Sequence, residues 1–251
     1  MKSLLRRQRN NKHVSIEPIG TLFPTLKNAE IFAAAAGAQR GRDYCDSFRV
    51  NPARILFGLF ELAGHRRQPS KLLPVVQQAF RTAGTQLLGP LEINETEALS
   101  ELCLQLNRSI IKVSSTAHPC PAFVGCYNEN VGILSYFNAG HTPGLVKHTL
   151  DVSKLAATGL PLGLFTHGMN EASMIALQPG AAVVLVSRGV IVLSSKGEEF
   201  GLGRVTSVLQ SSHAASAHGV CVSILHAAQN YSSTSTVEQG LTALALIRDT
   251  N

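Results

Sequence analysis

Aspartate is scarce in this sequence. Of its 251 residues, only Asp43, Asp46, Asp151 and Asp249 are aspartates, and tryptophan is absent. A mechanism that needs a cluster of aspartates would therefore have to use nearly all of them. This scarcity constrains any function based on carboxylate-bound metal ions.

The cysteines form no C-x-x-C pair, and their number is odd. Because zinc sites and disulfide frameworks follow regular cysteine spacings, neither is expected here. The simplest account is a reducing compartment in which the thiols are free and buried. The five cysteines are Cys45, Cys103, Cys120, Cys126 and Cys221.

Long apolar runs are also missing. The longest uninterrupted run is far shorter than a membrane span, and residues 1–13 lack the apolar stretch of a secretion signal. A composition of 45% hydrophobic and 15% charged residues suits one sizeable globular domain with short tails. We expect a cytoplasmic protein without a transmembrane segment.

The net charge of +6 comes mainly from one end of the chain. Residues 1–13 contain Lys2, Arg6, Arg7, Arg9 and Lys12 and no acidic residue, so the rest of the chain is nearly neutral. This basic arm could contact nucleic acid or an anionic membrane. A solvated tail or linker end is the interpretation we favour, because no aromatic residues are interleaved with the charges. Nucleic acid is not an expected partner.

The first half of the sequence predicts strands followed by two helices. Residues 31–50 suggest a strand, a glycine-containing turn and another strand, and 54–64 suggest a strand buried on both faces. A helix is expected from Pro69 to about Leu88. Asn94, followed by Glu97, resembles a capping box and begins a second helix. Its apolar stripe comprises Leu99, Leu102, Leu106 and Ile110.

The second half predicts mainly short strands. Residues 122–128 and 132–140 suggest a hairpin, and GLVKH, AAVVLVS and GVCVSILHA suggest further strands. A helix is expected over about 199–210. The segment from about residue 229 resembles a linker with a short apolar end piece, LTALALI, that docks on the body or on a partner. Together these elements predict an α+β domain with largely antiparallel sheets.

Several phrases occur together in an order typical of one family. They resemble the bacterial PPM-type (protein phosphatase 2C-like) serine/threonine phosphatases related to stage II sporulation protein E and to sigma-factor-regulating phosphatases. The resemblance covers about residues 18–226. The phrases are GRDYCDSF (41–48), FGLFELAGH (57–65), LCLQLNRSI (102–110), FNAGHTPGLV (137–146), TGLPLGLF (158–165), VVLVSRGV (183–190) and GEEFGLGRV (197–205).

The resemblance implies a sandwich of two antiparallel β-sheets flanked by α-helices, with metals held at one end. It also implies hydrolysis of phosphoserine or phosphothreonine with two Mg²⁺ or Mn²⁺ ions, which prefer oxygen ligands and activate water. We divide the chain into a basic N-terminal arm (1–17), a phosphatase-like domain (18–228) and a C-terminal tail (229–251).

Carrying the family's metal ligands across position by position leaves a degenerate set. One aspartate is kept as Asp43, and a second is replaced by Glu61. The aspartate of the family's Thr-Asp-Gly phrase becomes Arg188, and the Asp-Asp pair before the last strand falls on His218 and Gly219. Because a guanidinium stays protonated, Arg188 opposes a divalent ion.

Arg188 ends the apparent strand of VVLVSRGVIV, and three roles are open for it. It is a counter-ion paired to Asp43 or Glu61, a ligand for a phosphate group on a partner, or a solvent-exposed side chain. We expect the first, with the guanidinium filling the space that metals would occupy.

Four other side chains are weaker candidates for the site. His65 and His218 could form a mixed histidine/carboxylate metal site, although surface positions are the simpler interpretation. His141 invites a role as a general acid, but we expect a structural role. Asp46 is expected to position a turn.

The function expected from the resemblance is that of a pseudophosphatase, a regulatory protein-binding module in bacterial signalling. Its partner would be an anti-sigma-antagonist-like protein or another signalling domain, and no cofactor is expected. The alternative is a weak metal-dependent protein serine/threonine phosphatase, in which Asp43 and Glu61 hold one Mg²⁺ or Mn²⁺ ion.

Overall fold

The computed structural model describes residues 15–19, 23–37, 43–62, 69–114, 117–166, 171–212, 216–232 and 240–250. The strands in this part of the chain are β1 (Glu17–Pro18), β2 (Ala29–Ala36), β3 (Asp43–Arg49), β4 (Arg54–Glu61), β5 (Ala122–Asn128), β6 (Ile133–Ala139), β7 (Gly144–Lys147), β8 (Val152–Leu155), β9 (Ser173–Ala176), β10 (Ala182–Val186), β11 (Ser194–Ser195), β12 (Glu198–Glu199) and β13 (Leu241–Arg248). The helices are α1 (Pro69–Leu88), α2 (Glu95–Val113), α3 (Arg188–Ile191), α4 (Gly201–Ser211) and α5 (Ala217–Tyr231).

Two antiparallel sheets form the body of the fold. The first has the strand order β1-β2-β13-β10-β7-β8, and the second has the order β3-β4-β5-β6-β9. A small hairpin, β11-β12, stands apart from both. This arrangement confirms the predicted α+β sandwich of antiparallel sheets flanked by helices.

The hydrophobic core consists of three layers. One lies between the sheets, where Phe57 and Leu59 of β4 meet Leu244 of β13. The second lies between the β3–β9 sheet and helices α1 and α2. The third lies between the other sheet and helices α4 and α5. Because alternate residues of β4 face different layers, all eight of its residues are buried, as the sequence predicted.

Helix α2 forms where capping and periodicity predict it. The side chain of Asn94 accepts hydrogen bonds from the backbone N–H groups of Thr96 and Glu97, which lack partners within the helix. The predicted apolar stripe is buried in the layer beneath the helix. Helix α1 likewise spans the predicted range.

The predicted strand GVCVSILHA is wrong, because this segment belongs to α5. Ser216 caps the helix by accepting a hydrogen bond from the backbone N–H of Gly219. Buried residues recur at Val220, Cys221, Ile224 and Leu225, the spacing of one helix face. The apolar run therefore carried a period of 3.6, although its β-branched residues favoured a strand.

The apolar end piece LTALALI is an integral strand rather than a docked tail. It lies in β13, which is hydrogen-bonded to β2 on one side and to β10 on the other. Its first six residues are buried. Residues 229–251 thus contribute a central strand to the sandwich.

None of the described helices is long and apolar enough to cross a membrane.

Candidate functional site

Two carboxylates meet at one end of the sandwich. Asp43 is the first residue of β3 and Glu61 is the last residue of β4, and the two are direct cross-strand partners. Because side chains alternate along a strand, both lie on the face that carries Cys45 and Leu59 toward the other sheet. The antiparallel register therefore places both predicted site residues together.

The other sheet supplies the hydrogen-bond partner of Asp43. Thr242 of β13 donates from Oγ1 to Oδ2 of Asp43 at 2.7 Å, although the two residues are 199 positions apart. The backbone N–H of Thr242 donates to Ser187 Oγ at 3.1 Å, and the N–H of Ser187 donates to the Thr242 carbonyl at 3.0 Å. Asp43 thus connects the two sheets.

Glu61 contacts Arg188 through the backbone rather than the guanidinium. The N–H of Arg188 donates to Oε1 of Glu61 at 2.6 Å. Because Arg188 is the first residue of α3, this N–H has no acceptor within the helix, and the carboxylate satisfies it. The Arg188 side chain is exposed, and no ion pair joins it to Asp43 or Glu61. The expectation that the guanidinium points inward and pairs with Asp43 or Glu61 is therefore wrong.

A buried histidine faces the same carboxylate. His141 Nδ1 lies 2.9 Å from the carbonyl oxygen of Thr142, which favours the neutral tautomer that donates from Nδ1. Its Nε2 lies 3.4 Å from Glu61 Oε1, in a geometry that does not form a hydrogen bond. The backbone N–H of His141 donates to Asn138 Oδ1, which fixes the strand end. His141 therefore stands inside the carboxylate cluster.

Burial governs the ionisation of this cluster. Desolvation raises the pKa of Asp43 to about 6, opposed by the Thr242 hydrogen bond and reinforced by the charge of Glu61. Desolvation also raises the pKa of Glu61, while the Arg188 N–H and the guanidinium charge oppose the shift. Burial lowers the pKa of His141 to about 4, so its ring is neutral near pH 7.

His218 and Gly219 do not occupy the position assigned to them. They lie in the first turn of α5, where His218 is exposed and its ring meets that of Phe32 edge-on. The last strand is β13, so the residues immediately before it are Gln239 and Gly240 rather than His218 and Gly219. Neither is an aspartate, and Glu238 and Gln239 lie outside the described residues.

Of the candidates Asp46 and His65, the structure describes only Asp46. Asp46 lies within β3 rather than in a turn, and its two carboxylate oxygens accept hydrogen bonds from Arg81 of α1 at 2.7 Å each. Tyr44 also donates to Asp46. His65 lies outside the described residues. Among the described residues, no group of three or more histidine, cysteine, aspartate or glutamate side chains is arranged to hold a metal ion.

The segment TGLPLGLF is held against α2 by one asparagine. Asn107 accepts a hydrogen bond from the N–H of Gly163 at 2.7 Å and donates to the carbonyl of Phe165 at 2.9 Å. Gly163 has a φ of +82°, and a side chain there would meet the His118 carbonyl. Leu162 packs into the core, whereas Leu160 and Phe165 are exposed.

Comparison with known families tests the resemblance that the sequence phrases carried. The family described as Stage II sporulation protein E (SpoIIE) matches residues 57–246. This chain belongs to the SpoIIE family. The resemblance to PPM-type phosphatases inferred from the sequence is thereby confirmed. A search of curated protein sequences, in contrast, finds no match to the chain.

Solved structures of other proteins share the fold of this SpoIIE-family chain. The RsbU and RsbW domains of Rv1364c from Mycobacterium tuberculosis match with a TM-score of 0.72 and 21% identity, covering 90% of this chain and 63% of that one. The PP2C phosphatase domain and regulatory fragment of SpoIIE from Bacillus subtilis match with a TM-score of 0.67 and 14% identity, covering 90% of this chain and 65% of that one. RsbX in complex with magnesium matches with a TM-score of 0.65 and 9% identity, covering 94% of this chain and 100% of that one. The chain thus spans less than two thirds of the first two structures.

Proposed function

We propose that this SpoIIE-family domain is a pseudophosphatase. It binds a protein partner in bacterial signalling and does not hydrolyse phosphoesters. The observation that carries this proposal is the state of the two remaining carboxylates. Asp43 and Glu61 are each hydrogen-bonded to another part of the protein, to Thr242 and to the Arg188 N–H respectively.

The donor set does not fit a pair of hard divalent ions. Each Mg²⁺ ion demands near-octahedral oxygen coordination and is held in proteins by one or two carboxylates together with several waters, so a pair of ions needs a larger set of carboxylates. Here the described residues offer two carboxylates, and Oε1 of Glu61 is committed to a backbone N–H. Arg188 stands where the family's phrase has an aspartate, so this position supplies no further oxygen ligand.

The missing oxygen ligands oppose metal binding more strongly than the charge of Arg188 does. Two unit charges about 4 Å apart interact by about 4 kcal/mol at a protein surface and by about 1 kcal/mol in bulk water. Because the Arg188 side chain is exposed, its repulsion toward a cation lies toward the lower value. Restoring the ligands would therefore matter more than removing the arginine alone.

The proposed partner is a protein of the anti-sigma-antagonist type or another signalling domain. Support comes from the M. tuberculosis relative, whose structure contains an RsbU domain together with an RsbW domain. The partner would bind the surface on which catalytic relatives hold a phosphoprotein.

A weak metal-dependent serine/threonine phosphatase is the second candidate. It is favoured by the direct pairing of Asp43 with Glu61 at one strand end, where both carboxylates could bind a single Mg²⁺ or Mn²⁺ ion. The RsbX structure shows that a protein of this fold can be obtained with magnesium.

Turnover of a phosphoserine peptide separates the two candidates. With excess Mn²⁺, we expect the protein to release phosphate no faster than its Asp43→Ala variant. The Arg188→Asp variant should remain equally inactive, because one restored carboxylate leaves the ligand set incomplete. Mn²⁺-dependent turnover that disappears in Asp43→Ala would instead establish the phosphatase.

A further inference from the structure

A groove lies between α2 and the segment 158–165. Its volume is about 550 Å³, within the range of pockets that hold a small ligand or a few side chains of a peptide. Phe137 and Leu162 line it and are almost fully buried, whereas Leu160 and Phe165, which also line it, are 53% and 58% exposed. Exposed leucine and phenylalanine side chains beside a buried apolar floor are typical of a surface that a partner covers.

Three glutamates line the same groove. Glu97 and Glu101 belong to α2, and Glu171 precedes β9. Glu97 and Glu171 are exposed, and Glu101 is half-buried. The lining residues that the structure describes include no lysine, arginine or histidine, and the undescribed residues 167–170, with the sequence HGMN, contain neither lysine nor arginine. Three carboxylates beside apolar surface favour an occupant with positive charge.

We propose that the groove binds a short segment of a partner protein in which apolar residues are flanked by lysine or arginine. The apolar side chains pack against Leu160 and Phe165, and the basic side chains pair with the glutamates. This inference rests on the proposed function of a protein-binding module, and it adds the surface that binds and the chemistry of the bound segment. It requires no phosphate group on the partner.

The backbone connects the groove to the carboxylate cluster. The N–H groups of Thr158 and Gly159 donate to the carbonyl of Asn138 at 2.9 and 3.1 Å. The side chain of Asn138 accepts a hydrogen bond from the N–H of His141, which stands inside the cluster. The segment that lines the groove therefore begins beside the cluster, and one partner can contact both.

Binding of a labelled peptide to the full chain, followed by fluorescence anisotropy, tests this proposal. The probe is a short synthetic peptide without phosphate, in which leucine pairs are flanked by lysines. Exchanging Glu97 and Glu101 for lysine should weaken its binding by about fivefold or more at low salt, because attractive charge pairs become repulsive. High salt should weaken binding to the unmodified protein, because screening weakens the same pairs. A second peptide with glutamates in place of the lysines should prefer the variant.

A matched charge reversal elsewhere separates the groove from the overall charge of the protein. Asp151 and Glu199 are exposed and are not among the described residues that line the groove. Exchanging both for lysine alters the net charge equally and should leave peptide binding unchanged. No saturable binding to the unmodified protein, equal affinity in the Glu97→Lys, Glu101→Lys variant, or an equal loss in this control would overturn the proposal.

The apolar part of the contact has its own test. The Leu160→Ser, Phe165→Ser variant changes two exposed side chains, so it should fold like the unmodified protein, which thermal unfolding checks. It should bind the lysine-containing peptide about tenfold or more weakly, because binding no longer removes these apolar side chains from water. Unchanged affinity would show that charge alone holds the peptide, which would contradict the proposed contact.

Failure of this proposal and failure of the proposed function give different results. Mn²⁺-dependent turnover of a phosphoserine peptide would refute the pseudophosphatase, and the binding of the phosphate-free probe would still decide whether the groove is a peptide site. Probe binding that responds to neither pair of groove substitutions, in a protein without turnover, would refute the groove proposal alone.

Discussion

Replacing Asp43 with asparagine is expected to increase the free energy of unfolding at pH 7 by about 1–3 kcal/mol. The pKa of Asp43 is raised from 3.8 to about 6, mainly by desolvation. A shift of this size corresponds to about 3 kcal/mol against the charged form. Because Asp43 is only half-buried, solvent screening reduces this cost. Asparagine keeps an acceptor for Thr242.

The pH dependence gives the sign of this effect. Below about pH 4, Asp43 is protonated in both the folded and the unfolded state, so it contributes no pH-dependent difference. Between about pH 4 and 6, the unfolded chain loses its proton first, and the stability of the folded state falls. Above about pH 6 the full cost remains. The stability advantage of Asp43→Asn should therefore grow from pH 4 to 6 and then level off.

Urea unfolding of both proteins from pH 4 to 7 measures this difference. The exposed Asp151→Asn substitution removes the same charge and should have little effect on stability. Excess Mn²⁺ should leave the order of stability unchanged. A variant no more stable than the unmodified protein at pH 7 would contradict the account of a carboxylate whose desolvation outweighs its hydrogen bond to Thr242.

Removing either partner of the Arg54–Glu95 ion pair is expected to destabilise the fold by about 3–5 kcal/mol, since the other charge is left buried. Arg54 Nε lies 2.6 Å from Glu95 Oε1, and the two side chains are only 8% and 13% exposed. Arg54 also donates to the carbonyls of Pro90 and Leu91, and Asn128 donates to Glu95. The pair thus fixes the first turn of α2 against β4 and β5.

Urea unfolding of Glu95→Ala, Arg54→Met and the double variant Arg54→Met, Glu95→Leu measures the effect. The double variant should lose less stability than the sum of the single variants, because it leaves neither charge unpaired. A loss below about 1 kcal/mol in Glu95→Ala would show that the pair contributes no more than a surface ion pair.

Local sequence signals predicted much of the fold. Helices α1 and α2 follow from apolar periodicity and from the Asn94 cap, and β4 follows from its continuous apolar run. β13 could not be recognised in the same way. Its central place depends on pairing with β2, more than 200 residues earlier in the chain, and no local feature of the sequence reports that pairing.

The site was only partly predictable for a related reason. Motif comparison located Asp43 and Glu61, because side-chain identity is visible in the sequence. The partners of these residues are a threonine on a distant strand and a backbone N–H, which leave no local signal. The orientation of Arg188 was mispredicted because the turn from β10 into α3 directs its backbone N–H, rather than its side chain, toward Glu61.

Calorimetric titration of Mn²⁺ into the full chain tests the central claim, the absence of a working metal centre, most directly. The account predicts no saturable heat at micromolar protein concentrations, and none in the Arg188→Asp variant. Stoichiometric binding with micromolar affinity that is lost in Asp43→Ala would contradict it, and would make the weak phosphatase the better description of this domain.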